Sequence, residues 1–300
     1  MSSDLTTQNS SAILELNRRE KNIWEKMMQI FGSNPSMAAG TIVFMFMVLI
    51  AIFANILFTG DPNEPHVKDR LQAPSSTYWF GTDFVGRDVY TRTILGTRIS
   101  LLVGVTVSLI SVSLAVVIGL LTGYYRKVDA VVMRIMDGLM AIPSILLAMA
   151  LMALLGGSVQ NVIVALTVVA VPRTVRVVRA SVLSLREQMF VDAARAVGAR
   201  TSRILFIHIL PNTIAPLIVL ATFLCAESVL IEAALSFFGA GTPADIPSWG
   251  SIMADGRRYI SIAMWVVVLP GIFLTLTVLA INLAGDGLRD ILDPKLRHRL

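Results

Sequence analysis

Apolar positions in this chain form long unbroken blocks, without the alternation that marks helices and strands half in water. An unpaired charge in a hydrocarbon core is costly and about 20 apolar residues are needed to cross it, so charge-free runs locate the crossings. Met37 to Phe58 gives the first, and the uncharged run from Ile99 to Tyr125 holds the second. Asp137 and Arg173 enclose 35 uncharged residues. As one helix these would measure about 52 Å, against a core of about 30 Å. The Gly156-Gly157-Ser158 break therefore predicts a hairpin between the third and fourth crossings. The fifth follows Pro211 and runs to about Ser236, and the sixth lies between Tyr259 and Asp286. The predicted fold is all-α, a polytopic membrane protein with six transmembrane helices. Residues 1–36 form an N-terminal tail, 37–58 the first helix, 59–98 a connecting segment, 99–286 a five-helix core and 287–300 a C-terminal tail.

Composition agrees with the pattern. Hydrophobic residues make up 55% of the chain and charged ones 15%, with mean hydropathy +0.73, more apolar surface than a water-soluble globule of 300 residues could hide. The net charge of +5 is spread over loops between apolar runs, so topology explains it better than nucleic acid does. With the N terminus inside, 18 Lys and Arg fall on the inner side and 7 (Lys68, Arg70, Arg87, Arg92, Arg98, Arg257, Arg258) on the outer. The positive-inside rule then puts both termini in the cytoplasm. Met37 to Phe58 is too long and too late for a cleaved signal peptide.

Chemistry-bearing patterns are few. One cysteine, Cys225, excludes an intramolecular disulfide framework and a thiolate cluster within the chain. There is no GxxxxGK[ST] phosphate loop, HExxH or GxSxG motif, and His66, His208 and His298 lie in different segments. This is not the sequence of an enzyme that hydrolyses ATP itself, and no metal ligand set or bound cofactor is expected. Ser111, Ala115, Gly119 and Gly123 make a small-residue stripe at four-residue spacing, which allows a neighbouring helix to approach closely. Asp137 lies one turn from Arg134, and local pairing is expected there. Glu227, about 24 Å beyond Pro211 at 1.5 Å per residue, falls in the outer half of the fifth crossing. It either lines a polar pathway and meets a cationic group of a passing molecule, or bonds to a neighbouring helix. Glu232 is expected as a solvated or loop-bonded residue near the outer surface.

The longest inner connection, 181–212, is the most informative. Its Asp192-Ala193-Ala194-Arg195-Ala196-Val197-Gly198 stretch is a strong helix former with small side chains, Gly198 permits a sharp exit, and Leu210-Pro211 opens the next helix. A methyl-lined surface helix flanked by arginines suits docking in another protein's groove.

From Asp192 to Pro211 the chain resembles the EAA-loop pattern of ABC importer permeases: an acid, two alanines, a glycine six positions after the acid, and a Leu-Pro ending thirteen after Gly198. Asp replaces the usual Glu, and His208 stands where many members have isoleucine. Three further stretches are similar to the dipeptide, oligopeptide and nickel branch: Phe80 to Asp88; Ala234 to Gly239 with Pro247-Ser248-Trp249-Gly250; and Asn282 to Asp290 with Leu292-Asp293-Pro294. The resemblance runs from about Leu71 to Pro294. By their own spacing, Asp83 and Arg87, like Asp88 and Arg92, are acid-then-base pairs four apart, which suits an amphipathic helix ahead of the second crossing.

The resemblance implies an importer subunit in a bacterial plasma membrane. It would be paired with a second homologous permease and driven by two ABC ATPase subunits, which bind ATP and Mg, gripping Asp192 to Gly198. A solute-binding protein would dock near Asp83, Arg87, Asp88, Pro247 and Trp249. Implied cargo is dipeptides or oligopeptides, with nickel chelates or glutathione as alternatives. An ion-coupled secondary transporter is a competing reading, disfavoured by the docking helix and the scarcity of midplane charges. An intramembrane enzyme lacks a catalytic constellation.

Overall fold

The computed structural model describes residues 34–58, 60–243 and 245–292. The tails expected at 1–36 and 287–300 fall mostly outside these, along with Asp293, Pro294 and seven of the inner-side basic residues. Among the described residues the fold is helical throughout, apart from one antiparallel bridge between Thr82 and Asp88. Nine helices carry it: α1 Pro35–Leu57, α2 Val89–Tyr124, α3 Arg126–Met140, α4 Ser144–Leu155, α5 Val159–Arg186, α6 Met189–Ala196, α7 Leu210–Phe237, α8 Trp249–Gly256 and α9 Trp265–Leu292. A helical turn, Thr201–Arg203, and a π-helical stretch, Ile204–Ile209, lead into α7 so that 201–237 is one continuous helix. Pro211 lacks an N–H, and its ring would crowd the carbonyl of Ile207 four residues back; the wider π turn lies just where that carbonyl must give way.

Five helices are long and apolar enough to cross a membrane, and a sixth crossing results if α3 and α4 count as one span bent by 90°. The bend is the main departure from the expected third crossing. Pro143 has no N–H to donate and disfavours helical backbone at Ile142, so α3 stops at Met140 and α4 restarts at Ser144. The break at Gly156 to Ser158 is present: Gly156 takes φ +81°, and the Ser158 side chain accepts from the Asn161 N–H to start α5. Two other limits shift. α2 begins at Val89 rather than near Ile99, and α9 continues past Asp286 to Leu292.

The α2–α5 pair is the most extensive helix contact. All four members of the small-residue stripe are buried, and a Cβ on Gly119 or Gly123 would stand 2.6 Å from Val178 or Val182 of α5. No larger residue leaves these helices at that distance, where van der Waals packing rather than water drives association. α1 packs along α9 in the same manner, Gly40 resting against Ala280 and Leu283, while Ile42, Phe46, Ile52 and Ile56 point outward. A core at the α6 end joins Val178 and Val182 to Val191, Ala194, Ile204 and Ile209.

Candidate functional site

Three regions carry the residues singled out in the sequence. The first is α6. Its eight residues leave one face in the core, with Val191 and Ala194 buried, and one face open, where Met189 is 88% exposed, the flanking Val197 84%, and Phe190 and Ala193 are also exposed. Asp192 is exposed and pairs with Arg195 one turn on at 2.9 Å. Gly198 ends the helix with φ +79°, a left-handed conformation that glycine adopts without steric cost. Its N–H donates to the Arg195 carbonyl and the Ala199 N–H to the Ala194 carbonyl, which together form a Schellman cap. Leu210 and Pro211 lie a π-helical stretch away at the foot of α7, where Phe206 and Ile207 add exposed apolar surface. An open patch of Met, Phe and Val side chains around a small-residue helix is the kind of surface on which proteins make contacts. Ala194 departs from the methyl-lined surface expected along Asp192 to Gly198: it belongs to the core.

The second region is a cleft of about 240 Å³ between the α3–α4 bend, α5 and α7, lined by Ile142, Pro143, Ile231, Arg173 and Glu227. Glu227 meets Arg173, whose Nη1 lies 3.3 Å from both carboxylate oxygens. The pairing of Asp137 is also different from the expected local one: it accepts from Arg176 of α5 at 2.6 Å. One turn further, Arg179 grips both oxygens of Asp129. Arg173, Arg176 and Arg179 thus run down α5 inside a helix, not in a connecting loop, each facing an acid on α3 or α7. The three-residue spacing of these arginines was the available signal.

The third region is the opposite end of α2. Asp83 does not start a helix. Its carboxylate accepts from the N–H groups of Val85 and Arg87 and pairs with the Arg87 guanidinium, closing a turn in which Gly86 takes φ +88°. Asp88 caps α2 by accepting from the Tyr90 and Thr91 N–H groups, a contact worth about 1 kcal/mol. Arg92, expected beside Asp88, is fully buried and pairs with Asp255 of α8 at 3.3 Å, and Arg87 reaches the same oxygen at 2.8 Å. Burial lifts the Asp255 carboxyl above its ordinary pKa, against the lowering pull of Arg92 and Arg87. Pro247 and Trp249 are buried as well, and the indole N–H of Trp249 donates to the Thr93 carbonyl at 3.2 Å. Glu232, expected in solvent or on a loop, is wholly buried and accepts from Ser100 at 3.1 Å and Ser236 at 2.8 Å. Ser236 and Thr242 extend this chain of hydroxyls to Ser248, the cap of α8. Among the described residues, no group of three or more His, Cys, Asp or Glu stands together to hold a metal.

Comparison with known proteins gives the family. Residues 115–298 match the family described as binding-protein-dependent transport system inner membrane component, and residues 22–74 match the N-terminal TM domain of oligopeptide transport permease C. A putative peptide transport system permease protein of Brucella suis is 48% identical over 87% of this chain and 88% of its own length. The dipeptide transport system permease protein DppC of Alkalihalophilus pseudofirmus is 44% identical over 91% and 90%, and a glutathione transport system permease protein of Pectobacterium atrosepticum 38% over 92% and 91%. Among solved structures, an inward-facing MetNI methionine ABC transporter matches with TM-score 0.49 and 25% identity over 65% of this chain and 94% of that one. The α6 patch, the α5 charge ladder and the matched stretch from 115 to 298 lie in one all-helical membrane bundle, and the chain belongs to the family of binding-protein-dependent ABC transport permeases.

Proposed function

We propose that this chain is the translocation subunit of an ATP-driven peptide importer in a bacterial plasma membrane. What supports the cargo class is the 44–48% identity to permeases named for peptides and dipeptides, over about nine-tenths of both chains. It pairs with a second permease; two ABC ATPases, which bind ATP and Mg, dock on the open faces of the two α6-type helices; a solute-binding protein delivers cargo at the α8 end. Both termini are cytoplasmic. Movement of the ATPases enters through α6, whose buried face shares a core with α5 and α7, and alternates access to the cleft between the α3–α4 bend, α5 and α7. Glu227 and its partner Arg173 are the pathway candidates. The relative named for glutathione favours one second reading, a short γ-linked peptide as cargo.

The deciding experiment purifies the chain with co-expressed neighbours and measures which cargo, dipeptide, longer peptide, glutathione or nickel chelate, stimulates ATP hydrolysis. Stimulation by a nickel chelate alone would reverse the cargo assignment. For topology, cysteine placed at exposed Asn63 should react with an impermeant thiol reagent from outside, whereas native Cys225 is buried and silent. Tags at Ser2 and Leu300 should stay protected in intact cells; labelling of either from outside contradicts the orientation.

A further inference from the structure

The charge ladder on α5 has one rung unlike the others. Arg179 grips both oxygens of Asp129, and Arg176 holds Asp137 at 2.6 Å, so these two rungs tie α5 to α3. Arg173 meets Glu227 only through Nη1, at 3.3 Å, longer than the 2.7–2.9 Å of a strong charged contact. Its Nε and Nη2 donate to no protein group among the described residues, and the two side chains are 71% and 45% exposed toward the cleft. Both sit far from the helix ends: Arg173 about 21 Å from the start of α5 and Glu227 about 15 Å from the end of α7. A strong structural bridge at such depth would be close, two-pronged and shielded. This one leaves a guanidinium edge and two carboxylate oxygens open to whatever enters.

We propose that Arg173 and Glu227 form a station for the charged ends of a zwitterionic cargo, a deduction that rests on the peptide-importer reading. Arg173 takes the cargo carboxylate on its free guanidinium edge, and Glu227 takes the cargo ammonium. The exchange keeps net charge in the cleft at zero before, during and after passage, so no ion is left uncompensated between apolar walls. The cleft, about 240 Å³, lies just under the usual 300–1,000 Å³ range of small-ligand sites, which limits it to short chains. Its walls are mainly aliphatic, Leu139, Ile142, Pro143 and Ile231 among them, and apart from the hydroxyls of Ser144 and Ser228, the latter donating to the Leu224 carbonyl, they offer side chains between the two termini little hydrogen-bonding selectivity. The site therefore reads the ends of a short peptide and tolerates its middle.

The test uses the whole transporter, with partner permease, ATPases and binding protein, in liposomes with radiolabelled dialanine. Arg173→Gln, Glu227→Gln and the double Arg173→Gln/Glu227→Gln variants should each lower uptake at least tenfold. Subunit stoichiometry should remain at the parent level. The double variant separates the readings, because it leaves no unpaired charge. Recovery of uptake in it would make the pair a structural bridge and overturn the proposal. Loss of the partner permease from the double variant would assign the pair to the seam between subunits, which also overturns it. A parent transporter whose ATPase ignores dialanine overturns the peptide reading itself, and is told apart by failing before any variant is compared.

Discussion

The α8 end and the α6 end of this bundle both carry family-type sequence stretches, yet they put them to opposite use. Around Asp83, Arg87, Asp88, Arg92 and Trp249, polar groups are spent on one another: turns are closed, helices are capped, and two arginines converge on Asp255. Around α6 the helix secures its own end with the Gly198 cap and leaves Met189, Phe190, Ala193 and Val197 uncovered. A stretch whose hydrogen bonds close internally holds the fold together, whereas one that closes its own backbone and exposes apolar side chains leaves surface for a partner. Any docking at the α8 end must therefore use the surface that Asp83, Pro247 and Trp249 support, not those buried side chains.

The contrast can be broken most sharply at Asp255. Asp255→Ala strips the buried Arg92 of its carboxylate, and breaking such a pair costs about 3 kcal/mol. Membrane abundance and the melting temperature in detergent should both fall. Normal abundance with lost transport would instead make the α8 end a contact surface. The next effect is on coupling. Gly198→Pro cannot adopt φ +79° and loses the amide that donates to Arg195, so cargo-stimulated ATP hydrolysis should drop to the basal rate while the membrane-spanning helices still insert. ATP hydrolysis that still responds to cargo would remove α6 as the power input.

Ala193 and Ala194 sharpen the comparison within one helix. Ala193→Arg, on the open face, should prevent co-purification of the ATPases at unchanged abundance; Ala194→Arg forces a cation into the core and should lower abundance before docking can be measured. Equal behaviour of the two variants would contradict the division of α6 into two faces. The smallest effect is expected from Glu232→Gln: its amide oxygen accepts from one of Ser100 and Ser236 and its NH2 can donate to the other, so stability should change by under about 1 kcal/mol. Glu232→Ala should cost more, because it leaves those hydroxyls unpaired; a melting curve on each variant checks both.

The membrane character, the Gly156 break and the α2 stripe were legible because each depends on residues near in sequence: charge-free length, a local breaker, a four-residue spacing. The 90° bend was legible in principle at Pro143 but was hidden by counting charges, which treats proline as neutral. Pairings were not legible. Asp137 chose Arg176 over Arg134, and Arg92 chose Asp255 over Asp88, because a rule about one helix knows nothing of the helix packed beside it. Glu232 shows the same limit. Its angle around α7 could be computed, but not that Ser100 of α2 would cover it.

The division of α6 also bears on how such a machine can change its motor. Val191 and Ala194 belong to the chain's own interior, while Met189, Phe190, Ala193 and Val197 are exposed. On the proposed docking, these four positions could be rewritten together with a foreign ATPase groove while the buried face is kept. On that proposal the helix is a socket fitting whose thread is separate from its wall, and pairing the permease with a new ATPase would ask for changes on the thread alone.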